Sequence, residues 1–216
     1  MIVILIGAPG SGKGTQAKRL CESFGFKHLA TGDMFRSEIA RGSDLGKRAQ
    51  DYVRAGRLVP DVIVTEMVAA YVEADGKYLL DGFPRNIVQA QSLAALLKSH
   101  SRSIDLVCCL SLNNEEAVRR MTSRRICSGC GEVYNIGTRP PKTADVCDKC
   151  GAKVIQREDD SEATCRKRQM VFEDLTQPLV AYYKAEHLFH DIDASQSPDK
   201  VETALRAVIE SAKAAR

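Results

Sequence analysis

The sequence predicts an α/β fold, a parallel sheet wound with helices on both faces into a three-layer α/β/α sandwich. Three observations carry this. Apolar runs of strand length alternate with segments of helical period along the chain. The first run, Ile2 to Ile6, is continuously apolar, as a strand buried on both faces must be. A glycine-rich turn, GAPGSGKGT from Gly7 to Thr15, then joins that run to a helical pattern of Ala17, Leu20 and Phe24.

The elements follow in order. Lys27 to Ala30 reads as a second strand. Thr31-Gly32-Asp33 opens a helix carrying Met34, Phe35 and Arg36, with Thr31 or Asp33 as its cap. Ser43-Asp44-Leu45 starts another, running to about Gly56, and Pro60-Asp61 a further one through Val64, Met67, Val68 and Tyr71. Tyr78 to Gly82 is a third strand ending in an acid, Asp81. Phe83-Pro84-Arg85 breaks the pattern, and a helix with Val88, Leu93, Leu96 and Leu97 follows. Ile104 to Leu112 is a fourth strand, and Glu115 to Arg125 a helix with Val118 and Met121 inward. Residues 126 to 157 change character, with cysteines, glycines, Pro140-Pro141 and little helical period. Ser161 to about Glu186 reads as one long helix kinked at Pro178. Phe189 to Asp193 is a fifth strand, and Pro198 to Ala214 a closing helix. In such a sheet ligands bind past the carboxyl ends of the strands, where the glycine turn and Asp81 both lie.

The bulk numbers bound the function. A chain of 216 residues holds one core with small appendages. Its 44% hydrophobic and 27% charged content are ordinary for a globular protein, and a net charge of +3 is too small to argue for nucleic acid. No apolar run approaches a membrane span, and Ile2 to Ile6 is too short for a signal peptide. Of eight cysteines, Cys108 and Cys109 sit in an apolar strand as small hydrophobes, a usage that fits a reducing compartment. A cytoplasmic protein without membrane contact is expected.

Strand, glycine turn and helix together make a phosphate site. Gly7, Gly10, Gly12 and Gly14 let bare main-chain amides approach a ligand, and the following helix turns its positive end to the same point. Lys13 adds a full charge. The hydroxyl comes one residue later than in the common form of this motif, at Thr15 after Gly14, so a metal there depends on water and on carboxylates elsewhere.

GAPGSGKGT, TGDMFR at 31 to 36, DGFPR at 81 to 85, RRMTSRR at 119 to 125, and REDD with RKR at 157 to 168 resemble the adenylate kinase family, in order and over essentially the whole chain. The resemblance implies reversible phosphoryl transfer from MgATP to AMP, giving two ADP. It also implies a phosphate-loop core (residues 1–29, 60–122 and 161–216), an AMP-binding flap (30–59) and a lid (123–160), in a protein expected to be a monomer.

That chemistry asks for in-line positioning, charge neutralisation and exclusion of water. The cations available are Lys13, Arg36, Arg85, Arg120, Arg124, Arg157 and Arg168; the arginine fork suits phosphate. Arg120 and Arg124 stand four apart, on one face of the expected helix, whereas Arg119 and Arg125 point elsewhere. Arg168 shares the apolar stripe of Val171, Leu175 and Leu179, an inward place that calls for an anion. Asp159 and Asp160 stand where acids cap a helix, and the resemblance gives them a second role, positioning lid arginines. Asp33 and Asp81 are expected to hold Mg²⁺ through water.

The resemblance also distributes the nucleotides. ATP falls to Gly10, Ser11, Gly12, Lys13, Gly14 and Thr15, with Arg120, Arg124, Val133, Tyr134 and Gln196 toward the adenosine. AMP falls to Thr31, Arg36, Arg57, Leu58 and Val59, then to Gly82, Phe83, Pro84, Arg85 and Gln89, with Arg157 and Arg168 at the phosphates. Gln89 offers the donor and acceptor edge that adenine needs. Related kinases of pyrimidine monophosphates carry asparagine after the FPR arginine and again three residues later. This chain has Asn86 but Gln89, with Thr31 where they have a small residue, and Gln89 and the long lid favour AMP.

Cys127-x-x-Cys130 and Cys147-x-x-Cys150 are separated by sixteen residues, the spacing of a Cys₄ zinc site. Soft thiolates put Zn²⁺ first and iron as its rival, and four protein ligands make the metal structural. Two other readings stay in view. One is a kinase for CMP, UMP or GMP. The other is a nucleic-acid-binding protein gripping phosphates with its zinc ribbon and Arg166-Lys167-Arg168, which the balanced charge and lack of interleaved aromatics disfavour.

Overall fold

The computed structural model describes residues 1–73 and 75–214. Five parallel strands form the sheet, β1 (Ile2–Gly7), β2 (Lys27–Ala30), β3 (Tyr78–Asp81), β4 (Leu106–Ser111) and, last in the chain, β8 (Phe189–Asp193), in the order β2-β3-β1-β4-β8. Leu5 lies opposite Asp81, and Asp81 opposite Ala30, so the glycine turn, Asp81 and Thr31 leave the sheet along one edge. The period-2 alternation of a strand appears directly. Ile2, Ile4 and Ile6 pack on one face with Leu80, Val107 and Cys109; Val3 and Leu5 pack on the other with Leu79, Cys108 and Leu110. Helices α4 (Asp61–Ala69), α5 (Ile87–Ser99) and α8 (Pro178–Ala185) bring Ile63, Leu93, Leu97, Leu179 and Tyr183 to the first face. Helices α1 (Lys13–Phe24) and α9 (Pro198–Ala214) bring Ala17, Leu20, Val201, Leu205 and Ile209 to the second. Each such Leu or Ile stabilises the fold by roughly 1.5–3 kcal/mol.

Two smaller units stand at the carboxyl edge. Helices α2 (Thr31–Arg41) and α3 (Asp44–Arg54) pack as a hairpin, so tightly that a Cβ on Gly46 would lie 2.2 Å from the Glu38 carbonyl oxygen. Ser43 caps α3 as expected, accepting from the Gly46 amide at 3.0 Å. The other unit is an antiparallel sheet of β5 (Arg124–Cys127), β6 (Val133–Asn135) and β7 (Val154–Ile155), in the order β6-β5-β7, with its own small core of Cys127, Tyr134, Cys147 and Val154. No sequence pattern announced these three strands.

Several expectations need correction. Neither Thr31 nor Asp33 caps α2: β2 runs straight into the helix, which puts Ala30 at the cap, while Thr31 donates to the Gly82 carbonyl at 2.9 Å. Tyr71 lies beyond the end of α4 and is exposed. The helix expected to reach Arg125, α6 (Asn114–Thr122), stops at Ser123, so Arg120 and Arg124 do not share a helix face; Arg124 opens β5. The long helix is α7 (Glu162–Val171), a wide turn over Phe172–Thr176, then α8. In that turn the Gln177 amide reaches the Phe172 carbonyl at 2.8 Å. The extra residue shifts the helical phase, so Leu175 is 43% exposed while Thr176 is buried, and Arg168 has no continuous stripe with Val171, Leu175 and Leu179. Ser161, not Asp159 or Asp160, caps α7, accepting from the Thr164 amide at 3.3 Å. Among the described residues no helix is long and apolar enough to cross a membrane.

Candidate active site

The glycine turn connects β1 to α1 at the centre of the carboxyl edge. Gly10 sits at φ 89°, and a Cβ there would meet the Ala117 carbonyl oxygen at 2.4 Å, so α6 presses on the turn where a side chain has no room. Lys13 folds back over the turn, Nζ donating to the carbonyls of Gly7 at 2.7 Å and Ala8 at 2.9 Å. Burial pushes its ammonium down to about 8; Asp81 opposes this, and Arg85 and Arg168 add to it.

A cavity of about 1700 Å³ opens above the turn, and the expected cations reach it from separate elements. Arg36 comes from α2, Arg85 from the loop after β3, Arg120 from α6, Arg124 from β5 and Arg168 from α7, with Arg157 from the segment before it. Burial, then Arg168, pushes Arg85 down to about 10. Burial, then Arg36 and Arg124, brings Arg157 to about 10 as well, and its Nε is a buried donor without a hydrogen-bond partner. Arg168 is likewise lowered, by burial first, although it holds Asp159 at 2.8 Å. Cations that depress one another mark a place for an anion.

Carboxylates hold the cluster in register. Arg124 meets the fully buried Asp160 through two bonds, Nε to Oδ2 at 2.8 Å and Nη2 to Oδ1 at 2.5 Å, and this pair outweighs burial to raise the arginine. Asp33 lies 2.5 Å from Arg36 and 3.5 Å from Arg157. Burial pushes Asp33 and Asp159 up, but the surrounding arginines win and hold both below the usual carboxylate range. Asp81 faces the His28 Nε2 at 3.5 Å and stands close to Gly14. Asp33 and Asp81 both line the one cavity.

Most of the expected nucleotide residues line this cavity, among them Ser11, Thr15, Val133 and Gln196 of the expected ATP set and Thr31, Leu58, Val59 and Pro84 of the expected AMP set. Two of the expected catalytic and nucleotide residues, Phe83 and Asp160, do not line it. Phe83 is buried in the sheet core and anchors the loop from below, because the flanking Gly82 and Pro84 turn their own faces to the cavity. Asp160 lies behind Arg124, out of the cavity. Tyr134 buries its ring between the small sheet and Cys147. Gln89 and Asn86 serve the loop: the Gln89 amide accepts from Arg85 N at 2.7 Å and donates to Asp61 at 2.7 Å, while Asn86 caps α5 and donates to the same carboxylate at 2.9 Å. Sequence reasoning missed Gln169 and Thr176, which donate to the carbonyls of Pro9 at 2.7 Å and Arg85 at 2.8 Å and tie both anion-facing loops to the α7–α8 segment. Their signal, polar residues on a helix's inner face, was hidden by the phase shift between α7 and α8. It also missed Glu116, which holds Arg119 and Arg120 and is drawn down to about 2 by them.

The four cysteine sulfurs of the small sheet lie within 4.8 Å of one another. The Cys127–Cys150 and Cys130–Cys147 separations are 3.4 and 3.6 Å. Four sulfurs around Zn²⁺ at about 2.3 Å would sit roughly 3.8 Å apart, whereas a disulfide is about 2.05 Å. Main-chain amides of Gly129 and Cys130 point at the Cys127 sulfur, and that of Lys149 at Cys147. The Tyr134 hydroxyl is the largest influence drawing the Cys147 thiol down to about 6. This donor set fits a soft tetrahedral cation.

Comparison with known proteins places the chain. The family model described as adenylate kinase matches residues 5–188. The chain belongs to the adenylate kinase family. An adenylate kinase of Archaeoglobus fulgidus is 41% identical over 216 residues, covering 99% of this chain and 100% of that protein. One of Thermodesulfovibrio yellowstonii is 40% identical over 213 residues, 97% of this chain and 99% of the relative. One of Bacillus licheniformis is 42% identical over 204 residues, 93% and 94% of the two chains. The adenylate kinase resemblance read from the motifs, and the five-stranded parallel α/β fold it implied, are both borne out.

Proposed function

We propose that the cavity divides the work of an adenylate kinase, the reversible transfer of a phosphoryl group from MgATP to AMP giving two ADP, between its two ends. The glycine turn, residues 10 to 15, cradles the ATP phosphates with Lys13, while Arg120, Arg124, Val133 and the main chain at Tyr134 and Gln196 meet the rest of ATP. Thr31, Arg36, the Arg57-Leu58-Val59 segment, Gly82 to Arg85 and Gln89 form the AMP pocket. Arg36, Arg85, Arg124, Arg157 and Arg168 converge on the phosphates between the nucleotides, positioned by Asp159 and Asp160. Mg²⁺ bound with ATP neutralises phosphate charge, its water shell held by Asp81 and Asp33. One observation carries the reading: arginines from six separate segments face one cavity whose floor is bare main-chain amides.

The transfer follows from that geometry. Two anionic ligands brought end to end repel each other, and converging guanidinium forks offset the repulsion best as charge spreads over the moving PO₃ group. Water must be kept out, and we assign this to two flaps on a core of residues 1–29, 60–122 and 161–216. The α2–α3 hairpin (30–59) closes over AMP and the lid (123–160) over ATP. Each is supported as a unit by its own packing, and contacts such as Lys18 Nζ to the Gly131 carbonyl at 3.1 Å and Arg54 to Glu158 at 3.3 Å bridge them to their neighbours. The lid metal is read as structural Zn²⁺, with iron its rival, held by Cys127, Cys130, Cys147 and Cys150. Thiolates kept for a metal and buried cysteines on β4 support a reducing, cytoplasmic setting. Cations gathered inside one cavity support small nucleotides rather than nucleic acid as partners of a monomer.

AMP as acceptor is supported by membership of the adenylate kinase family; Gln89 spends its amide on Arg85 N and Asp61, against the expectation that it pairs with adenine, and Asn86 has an equally full structural role as the α5 cap. Turnover with MgATP and each of AMP, CMP, UMP and GMP tests this. AMP is expected to be the best acceptor by kcat/KM, and a higher value for any other overturns the substrate assignment.

A further inference from the structure

The lid ties its nucleotide-facing strands to the metal site at two points: β5 itself ends in Cys127, and the hydroxyl of Tyr134 on β6 reaches Cys147. Tyr134 lies in β6, where it pairs with Arg125 of β5, and its neighbour Asn135 pairs with Arg124, the arginine that reaches the phosphate cavity. The Tyr134 ring is buried, and its oxygen lies 3.4 Å from the Cys147 sulfur. The same oxygen accepts from the Asp148 amide at 2.9 Å. A hydroxyl that accepts one bond still has a proton to place. A thiolate bound to a metal has no proton to donate, so across this contact the hydroxyl gives and the sulfur receives.

We propose that Tyr134 is a positioning residue of the lid metal site: its hydroxyl donates to the Cys147 thiolate and fixes that ligand to the strand pair carrying Arg124. The proposal rests on reading the four cysteines as a metal site. Physically, a hydrogen bond to a ligand sulfur lowers the energy of its lone pairs and orients them toward the metal. Outer-shell partners of this kind change metal affinity by about 10–100-fold when removed. Through β6 and β5 the geometry of the metal site becomes the geometry of the strand that presents Arg124.

The test uses the full chain loaded with Co²⁺, whose sulfur-to-metal charge-transfer band reports on the thiolates. Tyr134→Phe keeps the ring and loses the proton. It is expected to move that band to lower energy and to release zinc to a colorimetric chelator at least tenfold faster. Val154→Ala removes packing from the same small core without touching a sulfur and is expected to leave the band in place. A Tyr134→Phe spectrum and release rate that match wild type overturn the proposal and leave the metal site standing; so does an equal shift in Val154→Ala. Wild-type protein without a tetrahedral thiolate spectrum overturns the metal reading, and the proposal with it. A check independent of either variant is nuclear magnetic resonance of the cadmium-loaded wild type. There the Tyr134 hydroxyl proton is expected to exchange slowly and to couple to the metal through the sulfur; a freely exchanging, uncoupled proton contradicts the assignment.

Discussion

Arg124, the first residue of the lid's central strand, is clamped by Asp160, the last residue before the α7 cap, through two parallel hydrogen bonds of 2.8 and 2.5 Å. The carboxylate is wholly buried and the guanidinium is not, so the acid acts as a fixed anchor for a cation that must face the cavity. Asp160→Asn keeps the shape and removes the charge. Breaking a buried pair on one side destabilises by about 3–5 kcal/mol. A fall in thermal midpoint is expected together with a loss of kcat larger than the change in KM for AMP. Unchanged stability would show that the clamp carries no weight.

Lys13 gives a pH signature. Its ammonium titrates at about 8 in the free protein, well below the usual lysine value of 10.5. A polyphosphate beside it favours the charged form and raises the pKa again. Between the two values the free protein holds fewer protons than the complex, so ATP binding takes up protons. Calorimetry in buffers of different ionisation heat is expected to show uptake of roughly three-quarters of a proton at pH 8.5, little at pH 6.5, and a weaker affinity above pH 8. Lys13→Met should abolish the uptake and collapse turnover. Equal uptake in that variant would assign the proton elsewhere.

Gly10 tests how the turn is held. At φ 89°, with the Ala117 carbonyl 2.4 Å from any added Cβ, Gly10→Ala must either strain the backbone or push α6 away. Left-handed strain alone amounts to about 1–3 kcal/mol. ATP affinity is expected to drop more than tenfold while AMP affinity stays within twofold. Parallel losses for both nucleotides would mean that the turn serves the whole cavity rather than one end.

Cys147→Ala removes one ligand from the sulfur cluster. Bound metal is expected to fall from one per chain to none, and proteolysis to concentrate between residues 124 and 160. The two core faces built on Ile4 and Leu5 should keep their unfolding transition. Metal retained at one per chain would remove Cys147 from the ligand set, and no metal in the wild type would remove the site.

What was legible in the sequence follows from how local each signal is. Strands β2, β3 and β8 could be placed to within a residue because their apolar runs are short and bounded, and the glycine turn fixed where β1 ends. Ser43 and Pro198 announced their helices for the same reason. The lid sheet was not legible. Arg124 to Cys127 alternates no apolar face, since the core it packs on is only Cys127, Tyr134, Cys147 and Val154, two of them cysteines of the sulfur cluster. For that reason Arg124 looked like the last turn of α6. The wide turn at Phe172–Thr176 was equally hidden, because one extra residue per turn leaves composition unchanged and shifts only the phase, exposing Leu175 and burying Thr176. The cations themselves were legible, and their carboxylate partners only in part, since which acid meets which arginine depends on the placement of β5 and α7.

The most direct test follows the γ-phosphoryl group itself. With ATP labelled at the γ position, Mg²⁺ and AMP, the account predicts that the label appears in the β-phosphate of the ADP formed from AMP, and that no turnover occurs without AMP. Label released as inorganic phosphate at a rate indifferent to AMP would contradict it, because the cavity would then deliver the group to water.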